Sequence, residues 1–331
     1  MRDVATLAGV SQPTVSRVLN QKYTTIPISD ETRMKVIAAI DALGYRPNMH
    51  ARSLRTQQTQ LIAVLVADIT NSFYPQIARS IQQIARHHGY DVMISNSDHV
   101  HEYEQHFCET MIRRTVDGII LVPFHLTEFD LHELYRETKT PIAVLGQQIN
   151  HPQIDVVYGD DEMGVYEVTD WLIHEKKHCR LGYVGVSDVF PPGERRRRGF
   201  LRAVEHANID VQTVCMLESD FTLEGGKQIG QYLLRLDSLP SALVVANDTM
   251  ALGIMLALQD RGIRIPEDIA IVGYDNIPET TIIRPTLTTL EQNPAEIGTT
   301  LVNLLFERIE NPDLPSRRIK IPNKLIIRNS T

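Results

Sequence analysis

Hydrophobic positions change their spacing along the chain. Over the first 46 residues they come in short bursts at helical intervals. In DVATLA (3–8), Val4, Leu7 and Ala8 share one face, and Gly9 follows as a turn residue. In the next burst Val15, Val18 and Leu19 fall at i, i+3 and i+4. Ser11 is placed to cap that helix, and Pro13 sits in its first turn, where a missing N–H costs little. A third helix is expected from near Ser29, with Asp30 and Glu31 in the first turn, where the helix dipole favours anions. Its stripe is Val36, Ile37, Ile40 and Leu43, and Gly44 ends it. Two helices joined by a glycine-containing turn, with a third closing a small core, form a helix-turn-helix.

Residues 47–60, PNMHARSLRTQQTQ, are polar throughout. ARSL is enough for one helical turn, marginal on its own. From Leu61 the texture becomes α/β. LIAVLVA is followed by a helix carrying Ile77, Ile81, Ile84 and Ala85, then by the strands DVMIS, GIILV and PIAVLG. The alternation restarts with RLGYVGV, ALVVA and IAIVGY. Continuous apolar strands between amphipathic helices predict parallel sheets covered on both faces. Two rounds predict two α/β lobes, breaking near 150–160.

Composition sharpens this picture. At 331 residues the chain exceeds one ordinary domain, and 43% hydrophobic with 22% charged residues is globular. The net charge of −8 is unevenly spread. Residues 1–58 carry eight Lys/Arg and four acids, hence +4, which leaves −12 for the rest. A basic head can meet phosphates while an acidic body repels them. Cys108, Cys179 and Cys215 are far apart and form no CxxC, which fits a reducing compartment. No apolar leader opens the chain and its apolar runs are too short to span a bilayer, so a cytoplasmic protein with no membrane partner is expected.

Enzymatic signatures are not found. GYVGVSD is not GxGxxG, and GxSxG, HExxH and paired CxxC are missing. No catalytic residue, no metal and no cofactor is therefore expected. DHVHEYEQH holds His99, His101, Glu102, Glu104 and His106. A solvated loop entering a helix is the expected reading, with a metal site as the alternative.

Taken in order, DVATLAGVSQPTVSRVLN, GYRPNMHARSL, GDDEMG (159–164), RRRGF (196–200), VANDTMALG (245–253), DIAIVGYDN (268–276) and LTTLEQ (287–292) resemble the LacI/GalR (lactose repressor) family over essentially the whole chain. The resemblance implies a small all-α helix-turn-helix head on an α/β core of two parallel-sheet lobes like a periplasmic binding protein. The head is expected at 1–46 and a hinge helix and linker at 47–60. The core fills 61–331, with one lobe about 61–157 plus 291–318 and the other about 158–290 plus 319–331. It also implies a ligand-responsive repressor of carbohydrate-use genes, a homodimer or tetramer that binds a pseudo-palindromic double-stranded DNA operator and releases it when a sugar closes the cleft. A purine, phosphosugar or sugar acid, acting as inducer or corepressor, is the alternative effector. A solute-binding protein for a transporter and a Rossmann-like enzyme are alternatives of other classes. The first would need an export signal and the second a catalytic constellation.

In a helix-turn-helix the second helix enters the major groove. Gln12 can pair with adenine and Arg17 with guanine, while Pro13 offers apolar contact. Ser11, Thr14, Ser16 and Asn20 read as phosphate contacts. Tyr45 joins the DNA-binding set. By resemblance Leu54 is the minor-groove wedge, with Ala51 against the groove and Asn48 near phosphate. In the core the resemblance implies ligand contacts at Asn71, Phe73, Gln147, Arg196, Phe221, Asn247, Asp275 and Gln292, with Arg196 gripping bidentately. Asp248 is expected to cap a helix. The chain departs from the pattern in a longer QKYTTIPI loop, in lacking a capping threonine before helix 1, and in Gly146-Gln147 where sugar-responsive relatives place an aspartate.

Overall fold

The computed structural model describes residues 1–19, 28–45 and 58–331, which divide into two units, Met1–Thr59 and Gln60–Thr331. The expectations for Asn20, Asn48, Ala51 and Leu54, for the loop after Asn20 and for most of the hinge lie outside the described residues.

In the first unit, helices α1 (Arg2–Ala8), α2 (Gln12–Leu19) and α3 (Asp30–Leu43) enclose a small core of Val4, Ala5, Ala8, Val15, Val18, Val36 and Ala39. Gly9 ends α1 at φ 67°, and Gly44 ends α3 at φ 56°, both left-handed turns that suit glycine. Ser11 Oγ accepts from the Thr14 N–H at 3.3 Å, and Ser29 Oγ caps α3 through the Thr32 N–H at 3.3 Å. Met1 precedes α1 without a side-chain cap. Two expected stripes rotate. Leu7 is 57% exposed while Ala5 faces inward, and Ile37 and Leu43 are exposed while Ala39 faces inward. Helices in so small a core approach through their small side chains. The bulkier neighbours turn outward, a choice that apolar spacing alone does not encode.

The second unit begins with β1 (Leu61–Val66), α4 (Phe73–His87), β2 (Asp91–Asn96), α5 (His101–Arg113), β3 (Gly118–Leu121), α6 (Glu128–Thr138), β4 (Ile142–Leu145) and β5 (Ile154–Gly159). It continues through α7 (Asp161–His174), β6 (Leu181–Val186), α8 (Pro191–His206), β7 (Cys215–Ser219), α9 (Leu223–Leu233), β8 (Ala242–Val245), α10 (Asp248–Gln259) and β9 (Ala270–Asp275). It closes with β10 (Thr288–Glu291), α11 (Pro294–Glu310), β11 (Arg318–Ile321) and β12 (Lys324–Ile326).

These strands form two six-stranded sheets, β11-β5-β4-β3-β1-β2 and β12-β10-β9-β8-β6-β7, parallel except for β12. Both sheets carry the doubly wound order in which the first strand lies between the second and third. That order opens a crevice at the carboxyl ends of β1 and β3 in one lobe and of β6 and β8 in the other. β5, β7 and the last three strands escaped the hydrophobic pattern. β5 follows β4 through a loop with no helix between, and β7 and β11 are half-exposed, mixed-polarity edges.

The chain crosses between lobes after β5, after β10 and between β11 and β12. The last crossing corrects the expected boundary at 318, because Arg318–Ile321 pairs with Val156–Gly159 and still belongs to the first sheet. The first crossing likewise falls after Gly159 rather than 157. Two crossings are tied together. Asn323 Nδ2 donates to the Asp160 carbonyl at 3.0 Å and to the Tyr274 hydroxyl at 2.9 Å, and Lys320 Nζ meets the Asp160 carboxylate at 2.5 Å.

Helices α7 and α8 touch at Gly199, where an added Cβ would stand 2.1 Å from the Glu162 carbonyl oxygen. Backbone cannot yield as a flexible side chain would. Gly199→Ala should therefore cost about 1–3 kcal/mol, seen as a lower urea midpoint with an unchanged m-value.

Candidate functional site

The carboxyl ends of the two sheets face a cleft of about 680 Å³, including its open mouth. All eight side chains expected to hold ligand line it: Asn71, Phe73, Gln147, Arg196, Phe221, Asn247, Asp275 and Gln292. Asn71 follows β1 and its Oδ1 accepts from the Phe73 N–H at 3.0 Å, opening α4. Phe73 is buried, edge-on to Tyr74 with centroids 5.2 Å apart. Asn247 follows β8. It caps α10 by accepting from the Met250 N–H at 2.8 Å, and its Nδ2 donates to the Phe221 carbonyl at 2.9 Å.

Asp248 is therefore not the cap that sequence suggested. It is buried, where it accepts from Thr289 Oγ1 at 2.6 Å and the Ile277 N–H at 2.9 Å. Burial raises its pKa well above the carboxylate range, and the nearby Asp275 adds to that. Asn wins the cap because its side chain can accept from the helix and donate across the loop at once.

The charged centre of the cleft is Asp161, in the first turn of α7. The sequence reading assigned it no role, although paired acids opening a helix opposite an arginine run are a signal that could have found it. Its Oδ2 accepts from Arg195 Nη2 at 2.8 Å, and its Oδ1 accepts from Arg196 Nε at 3.0 Å and from the Tyr274 hydroxyl at 2.9 Å. Burial opposes its ionisation, but Arg196 and Arg195 together hold its carboxyl below the usual range.

Arg196 is only 6% exposed, with its guanidinium 3.7 Å from the centroid of the Tyr274 ring and Nη1 on the Ala246 carbonyl at 2.5 Å. Nε and one N–H of Nη1 are committed within the protein, which leaves the second Nη1 N–H and both N–H groups of Nη2 for the two-pronged grip expected of it. Arg197 and Arg198 instead pair at the surface with Asp188, Glu162 and Glu194.

Asp275 ends β9 at φ 113° and accepts from Gln292 Nε2 at 2.6 Å. Burial is the largest influence on its carboxyl. It outweighs Arg196 and Gln292 and pushes the pKa up to about 7. Phe221 at φ 66° and His99 at φ 57° are further non-glycine residues held in the left-handed region beside the same cleft. Each such conformation costs about 1–3 kcal/mol and persists only where surroundings impose it.

His99 was expected in a solvated loop. It lies at the cleft instead, stacked on Phe221 of the opposite lobe at 5.3 Å and 18°. Glu104, from the same stretch, is buried and accepts the backbone N–H groups of Phe124, His125 and Leu126 at 2.8–3.0 Å, which fixes the loop after β3. Among the described residues no three His, Cys, Asp or Glu side chains gather as a metal site. Nor is any described helix long and apolar enough to cross a membrane.

In the head, Ser11, Gln12 and Pro13 are exposed at the start of α2, and Thr14, Ser16 and Arg17 are half-exposed along it. The Ser11 and Thr14 hydroxyls bond each other at 2.9 Å. The Tyr45 ring packs partly against the head's own core.

Residues 1–48 match the family model of bacterial regulatory proteins of the lacI family, and residues 172–331 match a periplasmic binding protein-like domain. The chain is 34% identical to catabolite control protein A of Priestia megaterium over 330 residues, covering 99% of this chain and 98% of that protein. Its fold is similar to the lac repressor dimer bound to operator and the anti-inducer ONPF, with 28% identity and a TM-score of 0.86 over 99% of this chain and 98% of the other. A LacI family regulator from Enterococcus faecium with bound ribose is 31% identical, with a TM-score of 0.76 over 82% of this chain and 98% of that one.

Two outcomes follow from the charges. Asp161→Ala leaves two guanidiniums buried without their carboxylate and should cost about 3–5 kcal/mol in denaturant unfolding. For Asp275 the folded state binds a proton that the unfolded chain releases between the ordinary value of 3.8 and about 7. Stability contributed by this group is thus present below that window and falls as pH rises through it. Asp275→Asn should flatten the pH dependence of the urea midpoint over the same range.

Proposed function

The chain belongs to the lacI family of bacterial regulatory proteins, and on that footing we propose that it is a ligand-responsive DNA-binding repressor of carbohydrate-use genes. The observation that carries the reading is the convergence of all eight expected ligand side chains, drawn from both lobes, on one cleft. The head supplies the other half. Gln12 and Arg17 read base edges in the major groove, Pro13 makes apolar contact, and Ser11, Thr14 and Ser16 serve phosphates.

Two chains pair and set two heads on a pseudo-palindrome about one helical turn apart. The operator-bound lac repressor dimer supports that arrangement. A sugar in the cleft favours release of the operator, with a coupling of about 1–3 kcal/mol. Ribose in the Enterococcus faecium regulator supports the sugar class. The protein works in the cytoplasm beside the DNA it regulates, and the reading assigns it no chemical step, cofactor or metal.

Selection of duplexes from a random pool by the full-length protein should return a pseudo-palindrome. Fluorescence anisotropy on that duplex should show weaker binding once a cognate sugar is added. Arg17→Ala should lose about 1–3 kcal/mol of discrimination at one base position while keeping non-specific binding. A pool that yields no preferred sequence would overturn the regulator reading.

A further inference from the structure

Three polar atoms at the cleft have no part in the network around Asp161. His99 Nδ1 and the side-chain oxygens of Gln147 and Gln148 are buried there with no hydrogen-bond partner among the described residues. Two of them are fixed in place. Gln148 Nε2 donates to the Pro123 carbonyl at 3.3 Å, so its free end is the oxygen, an acceptor. The His99 ring is held face-on by Phe221 and edge-on by Phe124 at 4.4 Å, and its carbonyl oxygen lies 2.8 Å from His125 Nε2. Burial keeps this imidazole toward its neutral form, helped by His125 and opposed by Asp68 and Asp98. A neutral imidazole has one nitrogen that accepts.

The lining holds two guanidiniums, the ionised Asp161 carboxylate and Asp275, whose pKa burial pushes up to about 7. Arg195 and Arg196 face Asp161 and Asp275, and both guanidiniums already donate to Asp161. An anion entering this cleft would meet the Asp161 carboxylate, amide oxygens and the His99 ring, and guanidiniums already bonded to Asp161. A neutral molecule with several O–H groups would meet acceptors. The aromatic faces nearby, Phe221 among them, suit the C–H face of a ring.

We propose, resting on the reading of this cleft as the effector site, that His99 is a specificity-determining residue. In this arrangement His99 Nδ1 and the Gln148 oxygen accept hydroxyls of an uncharged, hydroxyl-dense ligand, and phosphorylated or carboxylate-bearing counterparts are rejected. This separates the effector from phosphosugars and sugar acids by charge, and makes a residue from the first lobe's β2–α5 loop part of the discrimination.

The test is calorimetric titration of the full-length protein with D-ribose, D-glucose, cellobiose, ribose 5-phosphate, glucose 6-phosphate, gluconate and hypoxanthine. The expected result is binding of a neutral sugar, with its charged counterpart at least about thirtyfold weaker. His99→Phe keeps the ring stacking and loses the nitrogen. It should weaken that sugar about tenfold and leave the melting temperature of the ligand-free protein unchanged, whereas His99→Ala should also lower that temperature. A charged counterpart that binds as tightly as the sugar, or His99→Phe that binds like the wild type, overturns the proposal and leaves the sugar reading intact. Binding of hypoxanthine alone overturns the sugar reading and, with it, the hydroxyl-dense ligand proposed here. No binding by any of the seven removes both, while operator selection still tests the regulator independently.

Discussion

Asp161 stands inside the protein where the chain first enters its second lobe, with Arg195, Arg196 and the Tyr274 hydroxyl on its two oxygens. Each partner comes from another element, the two arginines from α8 and the tyrosine from β9, so the carboxylate binds a crossing segment to a helix and a central strand. Burial alone would drive the group neutral, and the guanidiniums reverse that. Further contacts run outward from it. Arg196 reaches the Ala246 carbonyl, the next residue Asn247 holds the Phe221 carbonyl, and the Phe221 ring stacks on His99 of the other lobe. The walls of the cleft are therefore set by one buried ion cluster rather than by the individual residues that would touch a ligand.

That arrangement changes what an arginine in such a cleft means. Read from sequence, Arg196 is a gripping hand; in the structure two of its five N–H donors already hold protein. Its charge is matched by Asp161, and what it offers a ligand is the N–H groups left on Nη1 and Nη2 and the position of Tyr274 beneath it. The basic character of the chain lies elsewhere, in the first 58 residues, while the remainder is acidic. A cleft whose two guanidiniums are tied to a buried carboxylate can sit in an acidic body without turning it into an attractor of polyanions, while the head carries the attraction to phosphate.

The helices of the head and seven of the strands were legible because apolar periodicity reports burial on one face or on both. Residues such as β5, in Ile154–Gly159, were not, because no helix separates it from β4 and the alternation skips a beat. The inward faces of α1 and α3 were misjudged at Leu7 and Ile37 because apolar residues there cover more than one face, and packing distance chose the alanines. The eight expected cleft residues came from motif resemblance, and the structure brings them together. Asp161 lies inside the motif GDDEMG without a role being read from it, and His99 lies in none of the motifs. Their surroundings depend on pairing across 34 to 113 residues for Asp161, and across lobes for His99, beyond the reach of apolar periodicity.

The cleft also has the geometry that regulation by a small molecule demands. A ligand shifts an equilibrium only by its differential affinity for the two states. Asn71, Gln147 and His99 stand on one wall, and Asn247, Asp275 and Phe221 on the other, so a ligand touching both senses their separation. The lobes already meet at the rim, through the His99–Phe221 stack and through Ser72 Oγ donating to Glu279 at 2.5 Å. Two of the three crossings are tied together by Asn323 and Lys320 on Asp160, on one side of the cleft. Binding energy spent between the walls therefore depends on how far apart the two lobes stand. A polar cleft shared between two lobes is how a few hydrogen bonds to a small ligand can favour one spacing of the lobes over another.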